Sequence, residues 1–183
     1  MAELTIRRPV YEDCEGLARV HVASWQAGYR DLMPADFLAA QDPAGRARQR
    51  RESWHHPEYA HVSGFTAEID GEIVGFTHYG QERAGHGRGW ADVDPDGGGE
   101  VYALYVHPDH WASGVGGALL DAAVRDLLHT GRTPVRVWTL VGNERALRFY
   151  RRHGFVSDGA QQMITVGSGE KIELPEERLT LEG

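Results

Sequence analysis

The sequence contains a single cysteine and no long hydrophobic run. One cysteine, Cys14, excludes an intrachain disulfide and a cysteine-rich metal site. It lies in an apolar-periodic stretch, which favours a small buried side chain over a nucleophile. The clearest apolar run, residues 101–106, is far shorter than the roughly 20 residues of a membrane-spanning helix, so we expect no membrane partner. The N-terminal residues form no apolar signal core, and we therefore expect a cytoplasmic protein.

Positive charge is also scarce. Lysine and arginine total 19 against 27 aspartates and glutamates, which gives a formal net charge of −8. A duplex-binding domain usually carries a basic face and a high isoelectric point, so nucleic acid is not an expected partner. The 183 residues are 41% hydrophobic and 25% charged, as in ordinary globular proteins, and their number predicts a single domain over residues 1–183.

Alternating strand and helix patterns predict an α/β fold. Asp70-Gly71 is a hairpin-turn dipeptide between two strand-like segments, and Pro43 with Gly45 predicts a break inside the second helix. The expected strands are residues 4–8, 61–69, 72–79, 100–106, 135–140, 155–166 and 171–181. The expected helices are residues 11–27, 34–54, 114–128 and 144–153.

Three glycines lie in the first turn of a predicted helix. Gly114, Gly116 and Gly117 follow the strand at residues 100–106 through a short loop, and each costs about 1 kcal/mol of helix stability relative to alanine. The first N–H groups of a helix have no internal partner and suit a phosphate, and glycine lets a ligand approach the bare backbone. The pattern predicts a diphosphate site on the amides of residues 111–117. A tight turn with close strand–helix packing is the alternative.

Two motifs surround this turn. The first is a strand ending in Tyr-Val-x-Pro, followed by a glycine-rich turn, and it comprises Leu104, Tyr105, Val106, Pro108, Gly114 and Gly116. The second, Asn-x-x-Ala-x-x-Phe-Tyr-x-x-x-Gly-Phe, comprises Asn143, Ala146, Phe149, Tyr150, Gly154 and Phe155. Together they resemble the motifs of the GNAT superfamily of acyl-CoA-dependent N-acetyltransferases. The sequence departs from the first motif at Trp111, where arginine or glutamine is usual.

The resemblance implies a mixed, largely antiparallel, twisted sheet of about seven strands, flanked by about four helices. The strands at residues 100–106 and 135–140 would splay apart as a central pair, and acetyl-CoA would lie in the gap. Its pantetheine arm would pair with the strand backbone, its diphosphate would bind the glycine-rich turn, and Asn143 would reach the arm. The implied cofactor-binding residues are Leu104, Tyr105, Val106, Trp111, Ala112, Ser113, Gly114, Val115, Gly116, Gly117 and Asn143.

Catalysis would need an acid and a base. The resemblance implies that Tyr150 protonates the leaving thiolate, and the alternative is a half-buried helical aromatic. The amine must lose a proton before it attacks, and Glu100 is the candidate base, acting directly or through a water. A surface glutamate at a strand end is the alternative. Tyr102 would share a side with Glu100 and Leu104, unless a bulge intervenes, and would position the substrate.

The acceptor site is expected at the joint of the first two helices and along the loop before Glu100. Trp25 and Tyr29 are four residues apart on a helix, so their side chains would meet, either as substrate contacts or as core packing. No metal is expected. The segment at residues 92–97 resembles the start of a calcium loop, but Ala103 stands at its bidentate twelfth position.

The residues and the resemblance together predict an N-acetyltransferase that moves an acetyl group from acetyl-CoA to a primary amine by direct nucleophilic attack. Two other classes stay open: a catalytically silent acyl-CoA-binding sensor of the same fold, and an interaction protein whose glycines serve only packing. From the resemblance to such folds we also expect a homodimer. The acceptor stays open among small amines, amino acids, antibiotics, and peptide or protein amines.

Overall fold

The computed structural model of the protein describes residues 3–84, 92–167 and 171–183. Within them the chain forms seven strands and five α-helices. The strands are β1 (Leu4–Arg7), β2 (Ser63–Ile69), β3 (Glu72–Gln81), β4 (Gly99–Val106), β5 (Val135–Leu140), β6 (Val156–Val166) and β7 (Ile172–Leu181). The helices are α1 (Cys14–Gly28), α2 (Ala35–Ala39), α3 (Pro43–Ser53), α4 (Val115–His129) and α5 (Glu144–Arg152). None of these helices is long and apolar enough to cross a bilayer.

The predicted break in the second helix is confirmed, so five helices form rather than about four. Asp42 caps α3, because its carboxylate accepts from the backbone N–H groups of Ala44 and Gly45 at 3.1 and 2.7 Å. Pro43 occupies the first helical position, where its missing N–H costs nothing. Gly45 lies inside α3 without interrupting it, so the cap and the proline separate the two helices.

The described strands form one sheet in the order β1-β2-β3-β4-β5-β7-β6. All neighbours are antiparallel except β4 and β5, which run parallel. Their pairing is limited to a short register that ends where Val101 faces Val137. Beyond that point β4 continues alongside β3, and β5 alongside β7, so the two central strands separate. The predicted mixed, largely antiparallel sheet with a splayed central pair is confirmed.

Helices cover both faces of the sheet. On one face, α4 buries Leu119, Leu120, Ala123 and Leu127 of the apolar stripe that its spacing predicts. Val124 of the same stripe is partly buried, and Leu128 is wrongly predicted because it is exposed. On the other face, Leu17 and Val20 of α1 pack with Phe76 of β3. Each fully buried leucine contributes about 2 kcal/mol relative to an exposed one. Cys14 is completely buried, as expected of a packing residue.

A bulge in β4 changes which side its residues face. Two consecutive residues of β3 pair with Val101 and Ala103, which leaves Tyr102 as an extra residue on β4. Tyr102 and Ala103 therefore border the same cavity on the α1 face, whereas Leu104 packs toward α4. The sequence predicts that Tyr102 and Leu104 share one side of the strand unless a bulge intervenes. The bulge is present, and the two side chains lie on opposite sides.

Candidate active site

A cleft of about 590 Å³ opens where β4 and β5 separate. Residues 101–106 of β4 and residues 137–139 of β5 line its sides. The turn before α4 closes one end, and α5 forms a further wall. Because β4 and β5 stop pairing at the cleft, their facing backbone groups are left for a ligand or water to satisfy.

Six consecutive backbone N–H groups beside the cleft have no hydrogen-bond partner in the described part of the chain. They belong to residues 112–117, which span the turn before α4 and its first three residues. Ala112 and Gly114 adopt left-handed backbone, with φ of 60° and 91°. The N–H of Trp111, which the sequence placed in the same group, instead donates to the Pro108 carbonyl at 3.1 Å. Unpaired donors at the positive end of a helix suit a phosphate anion.

The glycines of this turn also allow close packing against α5. A Cβ at Gly116 would lie 3.3 Å from the ring of Phe149, and one at Gly117 would lie 3.2 Å from Nε2 of His153. Gly114 has open space around it, but its positive φ disfavours any side chain. The glycines therefore leave the backbone open to a ligand and also allow close packing. The close packing is with α5, whereas the sequence predicts it with a strand.

The β4 backbone offers hydrogen-bonding groups to the cleft at alternate residues. The N–H of His107 donates to the carbonyl of Val74 at 2.8 Å. Because antiparallel pairing alternates, the N–H and C=O of Tyr105 also point toward β3. Those of Leu104 and Val106 point toward the cleft. A backbone contact of the cofactor at Tyr105 stays a prediction that this register does not favour, although Tyr105 itself borders the cleft. Leu104 presents the open strand edge.

Trp111 fixes the turn before α4 with its side chain. Its indole Nε1 donates to the Val106 carbonyl at 2.7 Å, and the Ser24 hydroxyl donates to the same oxygen at 2.7 Å. The Arg145 guanidinium of α5 lies over the Trp111 ring and borders the cleft. Burial lowers the pKa of Arg145 to about 10, so it remains charged at neutral pH. A cation thus stands beside the unpaired amides although Trp111 itself is uncharged.

Tyr150 faces the cleft from α5 and is only 7% exposed. Its ring packs against Phe149 and Phe155, with ring centres 5.1 and 5.6 Å away. Its hydroxyl makes no hydrogen bond to any residue in the described ranges. Burial, with Tyr105 nearby, raises the pKa of Tyr150, so the hydroxyl keeps its proton at neutral pH. The group can donate a proton to an atom in the cleft.

Asn143 and the remaining predicted cofactor residues lie around the same cleft, with two exceptions. Asn143 caps α5, since its Oδ1 accepts from the Ala146 N–H at 3.1 Å, and its side chain also borders the cleft. Ser113 does not border it, and its hydroxyl donates to the His110 carbonyl at 2.7 Å. The side chain of Val115 is buried in the core. These two residues can contribute only their backbone N–H groups.

A second cavity, which we call the acceptor cavity, occupies about 1030 Å³ on the α1 face of the sheet. It is bordered by α1, α3, the middle strands and the β6–β7 hairpin. Tyr102, Ala103 and Tyr105 border both spaces, so the two meet at β4. Trp25 lines the acceptor cavity and Tyr29 lines the cleft. Their rings meet edge to face 5.5 Å apart, as the four-residue spacing predicts.

Glu100 lies next to this junction but lines neither space. It is completely buried, so the alternative of a surface glutamate is wrong. Its carboxylate accepts from the backbone N–H of Arg83 at 2.9 Å and forms an ion pair with the Arg83 guanidinium. That guanidinium lies 4.8 Å from the ring centre of Tyr102, whose hydroxyl donates to the Gln81 carbonyl. Burial raises the pKa of Tyr102, which stays neutral at neutral pH.

The calcium-like segment is held by its own turn. The carboxylate of Asp94 accepts from the N–H of Asp96 at 3.0 Å, and its carbonyl accepts from the Gln81 side chain at 2.7 Å. Among the residues that the structure describes, no group of three or more histidine, cysteine, aspartate or glutamate side chains could hold a metal. Of the loop before Glu100, which the sequence predicts to line the acceptor site, Arg83 borders a cavity, whereas residues 92–97 border neither space. Residues 85–91 of this loop lie outside the described residues.

Comparison with known proteins identifies the family. The model of the Acetyltransferase (GNAT) family matches residues 25–155, which is well over half of the chain and includes both motifs. The chain belongs to the GNAT acetyltransferase family. The resemblance drawn from Tyr105, Val106 and the residues around Tyr150 is therefore confirmed.

Curated relatives of this GNAT acetyltransferase come from bacteria and from an archaeon. The uncharacterised N-acetyltransferase YuaI of Bacillus subtilis is 28% identical over 152 residues, which cover 82% of this chain and 79% of that protein. A mycothiol acetyltransferase of Acidimicrobium ferrooxidans is 34% identical over 115 residues, which cover 60% of this chain and 32% of that protein. The matched part thus spans about a third of the length of the mycothiol relative.

Solved structures share the fold of this GNAT acetyltransferase. The PaiA N-acetyltransferase of Thermoplasma acidophilum, in complex with coenzyme A, has a TM-score of 0.73 at 17% identity, covering 99% of both chains. YncA of Salmonella typhimurium, with acetyl-CoA, has a TM-score of 0.62 at 20% identity, covering 98% of this chain and 93% of that one. An N-acetyltransferase of Staphylococcus aureus has a TM-score of 0.66 at 15% identity, covering 98% of both chains. These similarities show the fold.

Sequence reasoning missed the basic wall of the GNAT cleft. Three arginines of α5, and the histidine that follows the helix, border the cleft: Arg145, Arg148, Arg152 and His153. The three arginines are spaced three and four residues apart, which places them on one helical face, and this signal is visible in the sequence. It could not be separated from an ordinary solvated face, because a charged stripe looks the same whether water or a ligand covers it.

Proposed function

We propose that this GNAT acetyltransferase transfers the acetyl group of acetyl-CoA to a primary amine. The observation that carries the proposal is the run of six unpaired N–H groups at residues 112–117, beside a cleft that also contains Tyr150. Two proteins of the same fold hold coenzyme A or acetyl-CoA in their solved structures, which supports the same ligand class here.

The cofactor diphosphate would accept hydrogen bonds from the amides of residues 112–117. Arg145 and the positive end of α4 would add attraction for the phosphate charge. The amide groups of the pantetheine arm would pair with the open strand edge at Leu104 and contact Asn143 across the cleft. This placement would direct the thioester toward Tyr150, deeper in the cleft.

Acetyl transfer would then proceed by direct attack. The amine, entering from the acceptor cavity, forms a bond from its lone pair to the thioester carbonyl carbon. The carbon–sulfur bond breaks, and the sulfur keeps the electron pair. Tyr150 donates its hydroxyl proton to that sulfur, and water returns a proton to the phenolate. The attacking nitrogen loses one proton, so the products are the acetamide and the free thiol of coenzyme A.

Glu100 would act through Arg83 rather than on the amine. Its carboxylate is buried and paired, and it borders neither the cleft nor the acceptor cavity. It holds the Arg83 guanidinium beside the ring of Tyr102, where the two spaces meet. In this arrangement water takes the proton of the amine. That Glu100 is the direct base stays a prediction, and the geometry does not favour it.

Turnover with an amine library tests the proposed function. We expect acetyl-CoA to bind in calorimetry and the release of the coenzyme A thiol to depend on at least one amine. Binding without any acceptor-dependent release would instead identify a silent sensor. The absence of heat with both acetyl-CoA and coenzyme A would leave an interaction protein whose glycines serve packing.

A further inference from the structure

Two arginines of α3 border the acceptor cavity without a carboxylate partner. Arg46 and Arg50 lie one turn apart on this helix. Neither forms an ion pair with any residue in the described ranges, whereas the adjacent Arg51 pairs with Glu15 at 2.6 Å on the exposed side. Glu176 of β7 borders the same cavity, and its carboxylate accepts from Nε2 of Gln162 at 2.8 Å.

The side chains within hydrogen-bond distance of the two guanidinium groups are neutral. Arg46 donates to the side-chain oxygens of Gln41 and Gln49 at 3.1 and 3.3 Å. Arg50 approaches Nδ1 of His21 at 3.3 Å. The Arg50 Nε is buried and has no hydrogen-bond partner in the described part of the chain. Each arginine therefore keeps donor capacity, although none of its partners carries a negative charge.

The surroundings penalise the charge on these arginines. Burial first, and then the neighbouring Arg46, lower the pKa of Arg50 to about 10, so it is still protonated at neutral pH. Burial also lowers the pKa values of His21 and His78, and the arginine charges lower them further. Both imidazoles are therefore neutral and add no positive charge. A half-buried guanidinium in a cavity without a carboxylate partner is a candidate site for a ligand of opposite charge.

We infer that Arg46 and Arg50 form an oxyanion-binding subsite, so that the acceptor is an amine that also carries a carboxylate or phosphate group. The inference rests on the proposed function for the identity of the acceptor. Two guanidinium groups offer planar, paired donors that match the oxygens of a carboxylate or phosphate. The oxyanion would occupy the α3 side of the acceptor cavity, and the amine would point toward β4.

The distances fit a small acceptor. The Arg50 guanidinium carbon lies 4.6 Å from the ring centre of Phe76, and that centre lies 5.6 Å from the ring centre of Tyr105. Because both distances are measured from the Phe76 ring centre, their sum is the upper limit of the distance between the Arg50 guanidinium and the Tyr105 ring. Because Tyr105 borders both spaces, an acceptor that spans this distance would bind the arginines with one end and approach the cleft with the other.

Matched acceptors test the subsite. Initial rates of coenzyme A release are measured for each L-amino acid against its amide, and for O-phosphoethanolamine against ethanolamine. We expect the anionic member of at least one pair to have a kcat/KM about tenfold or more above its neutral partner, and the identity of that pair distinguishes carboxylate from phosphate. Arg50→Gln and Arg46→Gln should remove this preference through KM, with unchanged affinity for coenzyme A. Arg51→Gln, on the exposed side of the same helix, is the control and should retain it.

A binding measurement separates failure of the subsite from failure of the proposed function. The thermal unfolding midpoint of the protein with coenzyme A is recorded with the same acids and their neutral partners. If an acid stabilises the wild-type protein but not Arg50→Gln, the subsite is supported, even where no amine is acetylated. The absence of acetylation would then refute the proposed acetyl transfer but not the subsite. Neutral amines acetylated as well as acids would overturn the subsite and keep acetyl transfer. No acid preference in either rates or unfolding midpoints would also overturn the subsite.

Discussion

The carboxylate of Glu100 and the guanidinium of Arg83 form an ion pair at the start of β4, with the Glu100 side chain completely shielded from water. Arg83 borders the acceptor cavity, and its guanidinium lies over the ring of Tyr102. The pair therefore links a buried acid that borders neither cavity to side chains that an acceptor would contact. This arrangement would give Glu100 a positioning role, which its place in the sequence does not suggest.

Replacing Glu100 by glutamine tests that role. Glu100→Gln leaves the Arg83 guanidinium without its carboxylate, and we expect the free energy of unfolding to fall by about 3 kcal/mol in urea denaturation. The acceptor KM should rise, while the pH profile of kcat/KM keeps its shape. Glu173→Gln, an exposed change on β7, is the control. If the acidic limb of the pH profile disappears in Glu100→Gln but not in the control, Glu100 is the base and its proposed positioning role is wrong.

Removal of one hydroxyl tests the acid. Tyr150→Phe keeps the ring against Phe149 and Phe155 and removes only the proposed proton donor. We expect kcat to fall about 10²-fold or more, with little change in coenzyme A affinity or stability. Because burial raises the pKa of Tyr150, the wild-type rate should show no loss from tyrosine ionisation up to about pH 10. Tyr11→Phe, at an exposed position, is the control. Equal turnover by Tyr150→Phe and wild type would reduce Tyr150 to a packing residue.

A side chain at Gly116 should interfere with the cofactor. The Cβ of Gly116→Val would stand 3.3 Å from the Phe149 ring, inside the cleft wall. We expect calorimetry to show coenzyme A affinity reduced about tenfold or more, equivalent to about 1.4 kcal/mol. The same change in α3, Gly45→Val, lies away from the cleft and should leave coenzyme A affinity unchanged. Unaltered affinity in Gly116→Val, with the fold intact by circular dichroism, would argue that the first turn of α4 does not hold the cofactor.

Acid should destabilise the fold through His78. Burial, and then the charge of Arg50, lower the pKa of His78 from 6.5 to about 3. The unfolded chain therefore binds one more proton than the folded chain between these values, so stability is greatest above about pH 6.5 and falls as the pH decreases. The slope is at most about 1.4 kcal/mol per pH unit for this group. In urea unfolding, His78→Gln should flatten the decline between about pH 6.5 and pH 4, whereas the exposed change His55→Gln should not. Parallel slopes in wild type and His78→Gln would contradict this assignment.

The sequence predicts those parts of the fold and site that depend on local patterns. The strand at residues 135–140 has the predicted bounds, because alternation and the flanking Pro134 and Gly142 mark its ends. The turn before α4 and the position of Tyr150 follow from motifs a few residues long. These features are set by neighbours in the chain, and the structure brings them to one cleft.

The parts that sequence reasoning missed depend on contacts between distant segments. The burial of Glu100 follows from its pairing with Arg83, across the β3–β4 connection, and no local pattern specifies that pair. The bulge at Tyr102 is a property of the register between two strands. Arg46 and Arg50 belong to a polar helix whose inner face borders a cavity, and only the packing of α3 beside α1 reveals which face that is.

Nuclear magnetic resonance of the 15N-labelled protein during titration with coenzyme A measures the proposed cradle most directly. We predict that the backbone amide resonances of residues 112–117 shift on saturation, because their unpaired N–H groups acquire phosphate acceptors. Pantetheine, which lacks the diphosphate, should leave these resonances in place while shifting that of Leu104. Coenzyme A that binds without moving the resonances of residues 112–117, or that moves only resonances away from the cleft, would contradict the proposed binding site.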